Sequence, residues 1–332
     1  MVILFLNETL HPLPISDTEQ IILSTWKTIS LVLCFTGNTF VLFSMKYDAI
    51  RLDRISTYLV RRICFADLSH GTFQLLPKLI SMIAGNTWIL GEEFAVLVVS
   101  TKSSFFLCNL ALVCFLSVNK MLHCLNPLGM INSPSWLKRL FDSFSSLAFC
   151  TPSLWYFCMI VRGYYIIFYS ELLCDLYLTT SKNNKYSYIE FIILIAFFLI
   201  PTFVLLVSNI SLVIIAIKNA GRPLKKKCVI AIIVVSSFFC LYAVSIFIWF
   251  CFYEFMPELD GMLKTPLRVH ASKLIFHLDT IASFINPVIY FVTLKCFRDF
   301  CMNFKEKNLT GKRGRRVYAK QTALSQLSSS NL

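Results

Sequence analysis

Among the ionisable residues in stretches otherwise suited to hydrocarbon, Asp67, Lys78, Lys102 and Asp279 are the ones whose chemistry could serve a site. A charge at such depth is costly. It faces the interior of a helix bundle or a wet cavity, and it pairs with another group or marks an ion or ligand path. Lys102 therefore suits an anionic ligand group, or an internal pair with Asp279 in Phe276-His277-Leu278-Asp279. Such a pair need not stabilise the fold, but neither charge would survive alone. Phe105, Phe106 and Phe247, together with Lys78, are candidates to line a pocket around Lys102; aromatics at helical spacing are equally the material of a core. Asp67 needs polar partners. Asn38 and Asn286 are the natural ones, with Asn109 and Ser283 as further candidates. No spacing supports catalysis: there is no metal-ligand pattern among the five scattered His, no Gly-rich phosphate loop opening a helix, and no nucleophile–base pair in context. The reading is of a non-enzyme.

These residues must be positioned by membrane helices. Of the 332 residues, 57% are hydrophobic and 31 are Phe, more apolar surface than a water-soluble domain can hide. Seven apolar segments, near 21–45, 56–83, 94–123, 137–160, 189–217, 228–252 and 271–294, each approach the ~20 residues that cross the bilayer core. The expected fold is all-α: an extracellular N-terminus (1–20), a seven-helix transmembrane bundle (21–294), a short amphipathic eighth helix (295–306) and a basic, Ser-rich cytoplasmic tail (307–332). Lys and Arg set the orientation. With the N-terminus outside, 22 of the 31 fall on the inner side, while Glu92, Glu93, Glu171, Asp175, Glu254, Glu258 and Asp260 fall outside. The net charge of +13 thus reflects a basic cytoplasmic face that meets anionic lipid rather than nucleic acid. Met1–Leu6 is too short and lacks the basic start of a signal peptide. Asn7-Glu8-Thr9 fits a glycosylation acceptor, and Cys296 and Cys301 are candidate palmitoylation sites, with unmodified cysteines the alternative.

The last apolar segment carries Asn286-Pro287-Val288-Ile289-Tyr290, followed by Phe297-Arg298. Joined to Asn38, Asp67, Trp88, Pro127-Leu128 and Pro201, this pattern resembles the rhodopsin-like G-protein-coupled receptors across nearly the whole chain. The resemblance implies a plasma-membrane receptor. An extracellular ligand would enter the outer half of the bundle, and a heterotrimeric G protein would bind the inner face. It also implies that Asp67, Asn38, Asn109, Ser283 and Asn286 form the family's central polar network, a candidate sodium site; a purely structural hydrogen-bond cluster is the alternative. The inner switch would comprise Asn119, Lys120 and Met121, with Pro127, Leu128 and Tyr290.

The departures from the family are as informative. Its Asp-Arg-Tyr triplet reads Asn119-Lys120-Met121, so no acid holds the cation, and Lys lacks the donor fork of Arg. Lys120 also suits a residue snorkelling to the inner interface. Its Cys-Trp-x-Pro reads Cys240-Leu241-Tyr242-Ala243, which removes the aromatic switch and the proline hinge and predicts a sixth helix with no local cause to kink. Asn209 replaces a tyrosine, and Pro152 is expected to end or kink the fourth segment. Ala95 stands where a loop-bridging Cys is usual; Cys174 is left to pair with Cys158 or Cys251 or to remain free. Two other readings stay open. One is a seven-helix binding or scavenging receptor without signalling. The other is a transporter or channel using Asp67, Lys102 and Asp279, against which no matched Gly/Pro breaks or inverted repeat are found.

Overall fold

In hydrocarbon no water satisfies peptide groups, so each spanning segment must bond within itself, and helices result. The computed structural model describes residues 17–46, 54–85, 87–125, 135–161, 165–170, 175–180, 192, 195–218, 223–255 and 264–293. Helix α1 is Asp17–Lys46. Helix α2 runs through Arg54–His70, a π turn at Gly71–Leu75 and a final piece Leu76–Ile83, with helical dihedrals at both joins. Helix α3 is Glu92–Leu125 and α4 is Ser135–Val161. An antiparallel hairpin follows, β1 (Tyr165–Ser170) and β2 (Asp175–Thr180), in the register Tyr165↔Thr180 to Ser170↔Asp175. Helix α5 consists of a π turn at Ile195–Leu199 and Ile200–Lys218. Helix α6 is Pro223–Phe255 and α7 is Lys264–Thr293. The expected all-α membrane bundle is thus observed, with the small hairpin as an addition that the apolar pattern did not mark.

Five of the described helices are long and apolar enough to cross a membrane. Helix α3 is the axis: about two-thirds of its most apolar window is buried, against a third or less for those of α1, α4 and α5. It packs on α2, α4, α5 and α6, while α1 rests on α2 and α7. The outer staves show apolar faces to the lipid. On α5, Phe203, Val207, Ile210, Ile214 and Ile217 recur at helical spacing and are exposed, Ile217 by 71%.

Prolines account for the irregular turns. Both π turns stop two residues before a proline, Pro77 in α2 and Pro201 in α5. Proline cannot donate to the carbonyl four residues back and clashes with it; here those carbonyls belong to Phe73 and Phe197, inside the widened turns. Pro152 neither ends α4 nor leaves its last turns irregular, since the helix continues to Val161. Helix α6 contains no interior proline and is uninterrupted; it begins at Pro223, which leaves only residues 219–222 between it and α5. Pro at the first helical position suits a start, because the missing N–H would have no intrahelical partner there.

In α7 the proline is met from α1. Pro287 frees the carbonyl of Ser283, and Asn38 Nδ2 donates to that oxygen at 3.0 Å. Gly37 allows the approach: a Cβ there would lie 2.8 Å from both Cβ and Cγ of Pro287. In an ordinary helix Gly→Ala stabilises by up to about 1 kcal/mol. Gly37→Ala is expected to reverse that sign and lower the unfolding midpoint of the purified protein. Gly71→Ala, whose Cβ would meet Cys34 Sγ at 3.0 Å, is expected to cost less. Thermal unfolding of both variants checks the order.

Candidate functional site

The five polar residues singled out in sequence are all buried, and hydrogen bonds join them into two linked groups. Asp67, fully buried on α2, accepts from Asn109 Nδ2 of α3 at 2.8 Å through Oδ1 and from Asn286 Nδ2 of α7 at 3.0 Å through Oδ2. Cys34 of α1 donates its thiol to the Asp67 carbonyl at 3.3 Å. Asn38 Nδ2 spans its own helix, at Cys34 O (2.9 Å), and the Ser283 carbonyl across the gap. The amide oxygens of Asn38, Asn109 and Asn286 accept no hydrogen bond among the described residues. They are hard oxygen donors of the kind that suit a small cation beside a carboxylate.

One turn outward from Asp67 lies His70, which sequence reasoning passed over although its i+3 spacing from the acid puts both on one helix face. His70 Nδ1 and Ser283 Oγ share a hydrogen bond of 2.5 Å, and Phe105 meets the imidazole edge-on at 5.8 Å. These residues open on a small cavity, whose other walls are Phe106, Asn109, Phe239, Tyr242 and Ala282. Phe105 and Phe106 line this cavity and are buried core, but Lys102 and Lys78, around which a pocket was expected, are not among its lining residues.

Tyr242 corrects the reading of the sixth helix. Placing Ala243 at the family's proline position puts Leu241 in the aromatic position, but Leu241 is 60% exposed and Tyr242 only 3%. The Tyr242 ring packs edge-on to Phe106 at 4.5 Å, and Phe198 of α5 closes the group at 5.8 Å from Phe106. An aromatic side chain does face inward here, one residue later than the motif suggests.

Toward the end of the bundle where α2 passes to α3, Lys78 is 3% exposed and Lys102 half-buried; a third cation, Lys27 on α1, is buried and carried no motif to reveal it. Gln74, in the π turn of α2, ties α2 to α3 through Val98 O at 2.8 Å and Thr101 Oγ1 at 3.1 Å. Trp88 Nε1 donates to Gly91 O at 2.8 Å, and Gly91 has a positive φ of 82°, so the Trp88…Gly91 spacing closes a loop at the start of α3. Ala95, buried beside Val96, Val99, Met159 and Ile160, fills its position by apolar packing between α3 and α4. Cys158 is a free, exposed thiol. The side chains of Phe247, Asp279 and Cys251 lie outside the described residues, as do Cys174, Asn7, Pro127, Leu128, Cys296, Cys301, the eighth helix and the tail.

At the opposite end, where α3 finishes, Asn119 donates through Nδ2 to Ser56 Oγ of α2 at 3.0 Å. Lys120 and Met121 are half-buried, and Tyr290 is 5% exposed with a hydroxyl that has no hydrogen-bond partner among the described residues. Asp142 of α4 is tied to α2: Arg62 pairs with it at 3.2 Å, the Tyr58 hydroxyl donates to it, and Lys138 sits over the Tyr58 ring at 4.4 Å. Among the described residues no group of three His, Cys, Asp or Glu could hold a metal ion.

If the Asp67 cluster holds α2, α3 and α7 together, Asp67→Ala should be worse than Asp67→Asn. The first leaves two buried amides without an acceptor, at about 1–3 kcal/mol each, whereas the second keeps one acceptor oxygen. Thermal unfolding of the purified variants is expected to rank native above Asp67→Asn above Asp67→Ala.

Comparison with known proteins bears on the whole bundle. Residues 37–290, well over half of the chain, match the family described as 7 transmembrane receptor (rhodopsin family). No curated protein matches the chain.

Proposed function

The chain belongs to the rhodopsin family of seven-transmembrane receptors, and from that membership we propose that it binds an extracellular ligand in its outer half and signals through a heterotrimeric G protein at its inner face. The observation that carries this reading is the family match over residues 37–290; the polar–aromatic cavity, with room for no more than about one water, supports it only by its place in the bundle. Its floor, His70, Asn109 and Ser283, touches or belongs to the Asp67 cluster that joins α2, α3 and α7. A ligand that moved Phe106 and Tyr242 would act on α3 and α6 together.

For the ligand's chemistry, Lys102 suits an anionic group rather than an amine, with an internal pair to Asp279 as the alternative; it is half-buried, while Lys27 and Lys78 are buried. The receptor would sit in the plasma membrane with its N-terminus outside, as the Lys and Arg distribution favours.

A second reading is favoured by one bond. Asn119 carries no charge to hold Lys120 and is engaged by Ser56, so a receptor that binds ligand without coupling would keep this same arrangement. Nucleotide exchange on a panel of G proteins, with the purified receptor in lipid, separates the two. Coupling predicts exchange that falls several-fold in Lys120→Ala and a lower basal level in Asn119→Asp. No exchange on any G protein, unprompted or with candidate acids, would leave the binding reading.

The Asp67 cluster also suits a sodium ion, held by the Asp67 carboxylate with amide oxygens of Asn38, Asn109 or Asn286. Sodium in place of N-methylglucamine is expected to raise the unfolding temperature of the native protein, and Asp67→Asn to abolish the difference. An equal rise in both would assign the effect to ionic strength.

A further inference from the structure

We propose that Ser117, Asn209 and Ser236 form a hydrogen-bonded latch that holds the inner half of α6 against α3 and α5 in the resting protein. Asn209 of α5 is the junction. Its Oδ1 accepts from Ser117 Oγ of α3 at 3.2 Å and from Ser236 Oγ of α6 at 2.5 Å. Ser208, beside it on α5, donates to Ser117 Oγ at 3.0 Å. All four side chains are buried, Ser117 and Ser236 completely. A single carbonyl oxygen therefore ties three helices in a place where lipid offers no substitute partner.

Two observations make this contact a restraint on α6 rather than general glue. The first concerns α3. Ser117 lies three residues before Lys120 on the same helix face. The neighbouring Asn119, standing where the family has its restraining acid, is bonded to Ser56 of α2 and so ties α3 away from α6. The second concerns α6 itself. Around Ser236 its buried face is Val229, Ile232, Val235 and Phe239, whose apolar contacts have no direction and let a helix slide or tilt. The Ser236–Asn209 bond does have a direction, and it is either made or broken.

The serine is also suited to letting go. Ser236 Oγ lies 2.6 Å from its own helix's Ile232 carbonyl, so its single proton has a second acceptor when α6 leaves. Opening thus orphans no donor on α6, and the latch biases the equilibrium without freezing it. Bonds between helices in a membrane contribute modestly, so loss of one is expected to shift the open fraction by about 3- to 10-fold. Because α6 has no interior proline, the release would move its inner half with the rest of the helix rather than about a kink.

The latch rests on the coupling reading for its consequence, but not for its test. Spin labels carried by unnatural residues at the exposed positions Leu140 of α4 and Ile230 of α6 avoid the 13 native cysteines and report the inner α4–α6 distance in full-length protein in nanodiscs. Ser236→Ala and Asn209→Leu are expected to populate a longer distance, with Ser236→Thr, which retains the hydroxyl, resembling the native protein. Ser211→Ala removes a serine that, among the described residues, is bonded only to its own helix at Val207 O, and should leave the distance unchanged. Ser117→Ala provides a second route if either α5 or α6 variant fails to fold. A distance unchanged in folded Ser236→Ala, Asn209→Leu and Ser117→Ala overturns the latch. A longer distance supports it, and basal nucleotide exchange in the same samples then reports separately on coupling: a rise of about 3- to 10-fold supports both readings, and a longer distance with no exchange retains the latch and removes the G protein.

Discussion

A carboxylate kept in hydrocarbon by two amides is the constraint on which the bundle depends. Asp67 cannot turn to water, so α2 must rotate to present it inward, and α3 and α7 must bring Asn109 and Asn286 within hydrogen-bond distance of its two oxygens. That sets the rotation of three helices at once. Helix α1 is fixed by a related demand. The carbonyl that Pro287 leaves unbonded needs a donor, Asn38 supplies it, and Gly37 clears the space. Four helices are thereby locked by directional bonds whose loss would expose peptide or carboxyl groups to lipid.

The other side of the molecule is built differently. Helices α5 and α6 contribute Leu205, Leu212, Ile232, Val235 and Phe239 to the core and, among the described residues, take no part in the Asp67 cluster, meeting α3 through apolar packing and the Asn209 junction. Packing without direction tolerates small displacements, while a hydrogen-bond cluster around a buried carboxyl group does not. The protein thus divides into a part held by directional bonds around Asp67 and a part held mainly by apolar packing. The cavity between His70, Phe106 and Tyr242 lies on the seam between them.

Much of this was legible in the sequence, for a physical reason. In segments destined for lipid, Asp67, Asn38 and Asn286 are conspicuous because each must be satisfied internally, and few partners are present. Serines are less conspicuous, since each can return its proton to its own helix, as Thr36 and Ser211 do at the lipid face. Ser117 and Ser236 look the same in sequence, and only the rotation of three helices distinguishes them. The one-residue displacement from Leu241 to Tyr242 arose similarly. A motif aligned on a proline that is absent has no anchor, and packing against Phe106 decided which side chain turns inward. His70, three residues from Asp67 on the same helix face, carries the same kind of signal in its spacing.

The π turn in α2 has a consequence for chain length itself. On an unbroken α-helix Asp67 and Lys78, eleven positions apart, would fall on nearly the same side. The wider turn at Gly71–Leu75 takes up one residue more than the α repeat, so everything beyond it is swung by about 100° relative to the inner piece. The azimuth of Lys78 is therefore set by the π turn between it and His70, not by its identity. Closing that turn as a regular α-helix with every residue kept would carry the ammonium around the circumference of the helix toward a different neighbour, whereas losing one residue of the turn and closing it would leave the ammonium where it is.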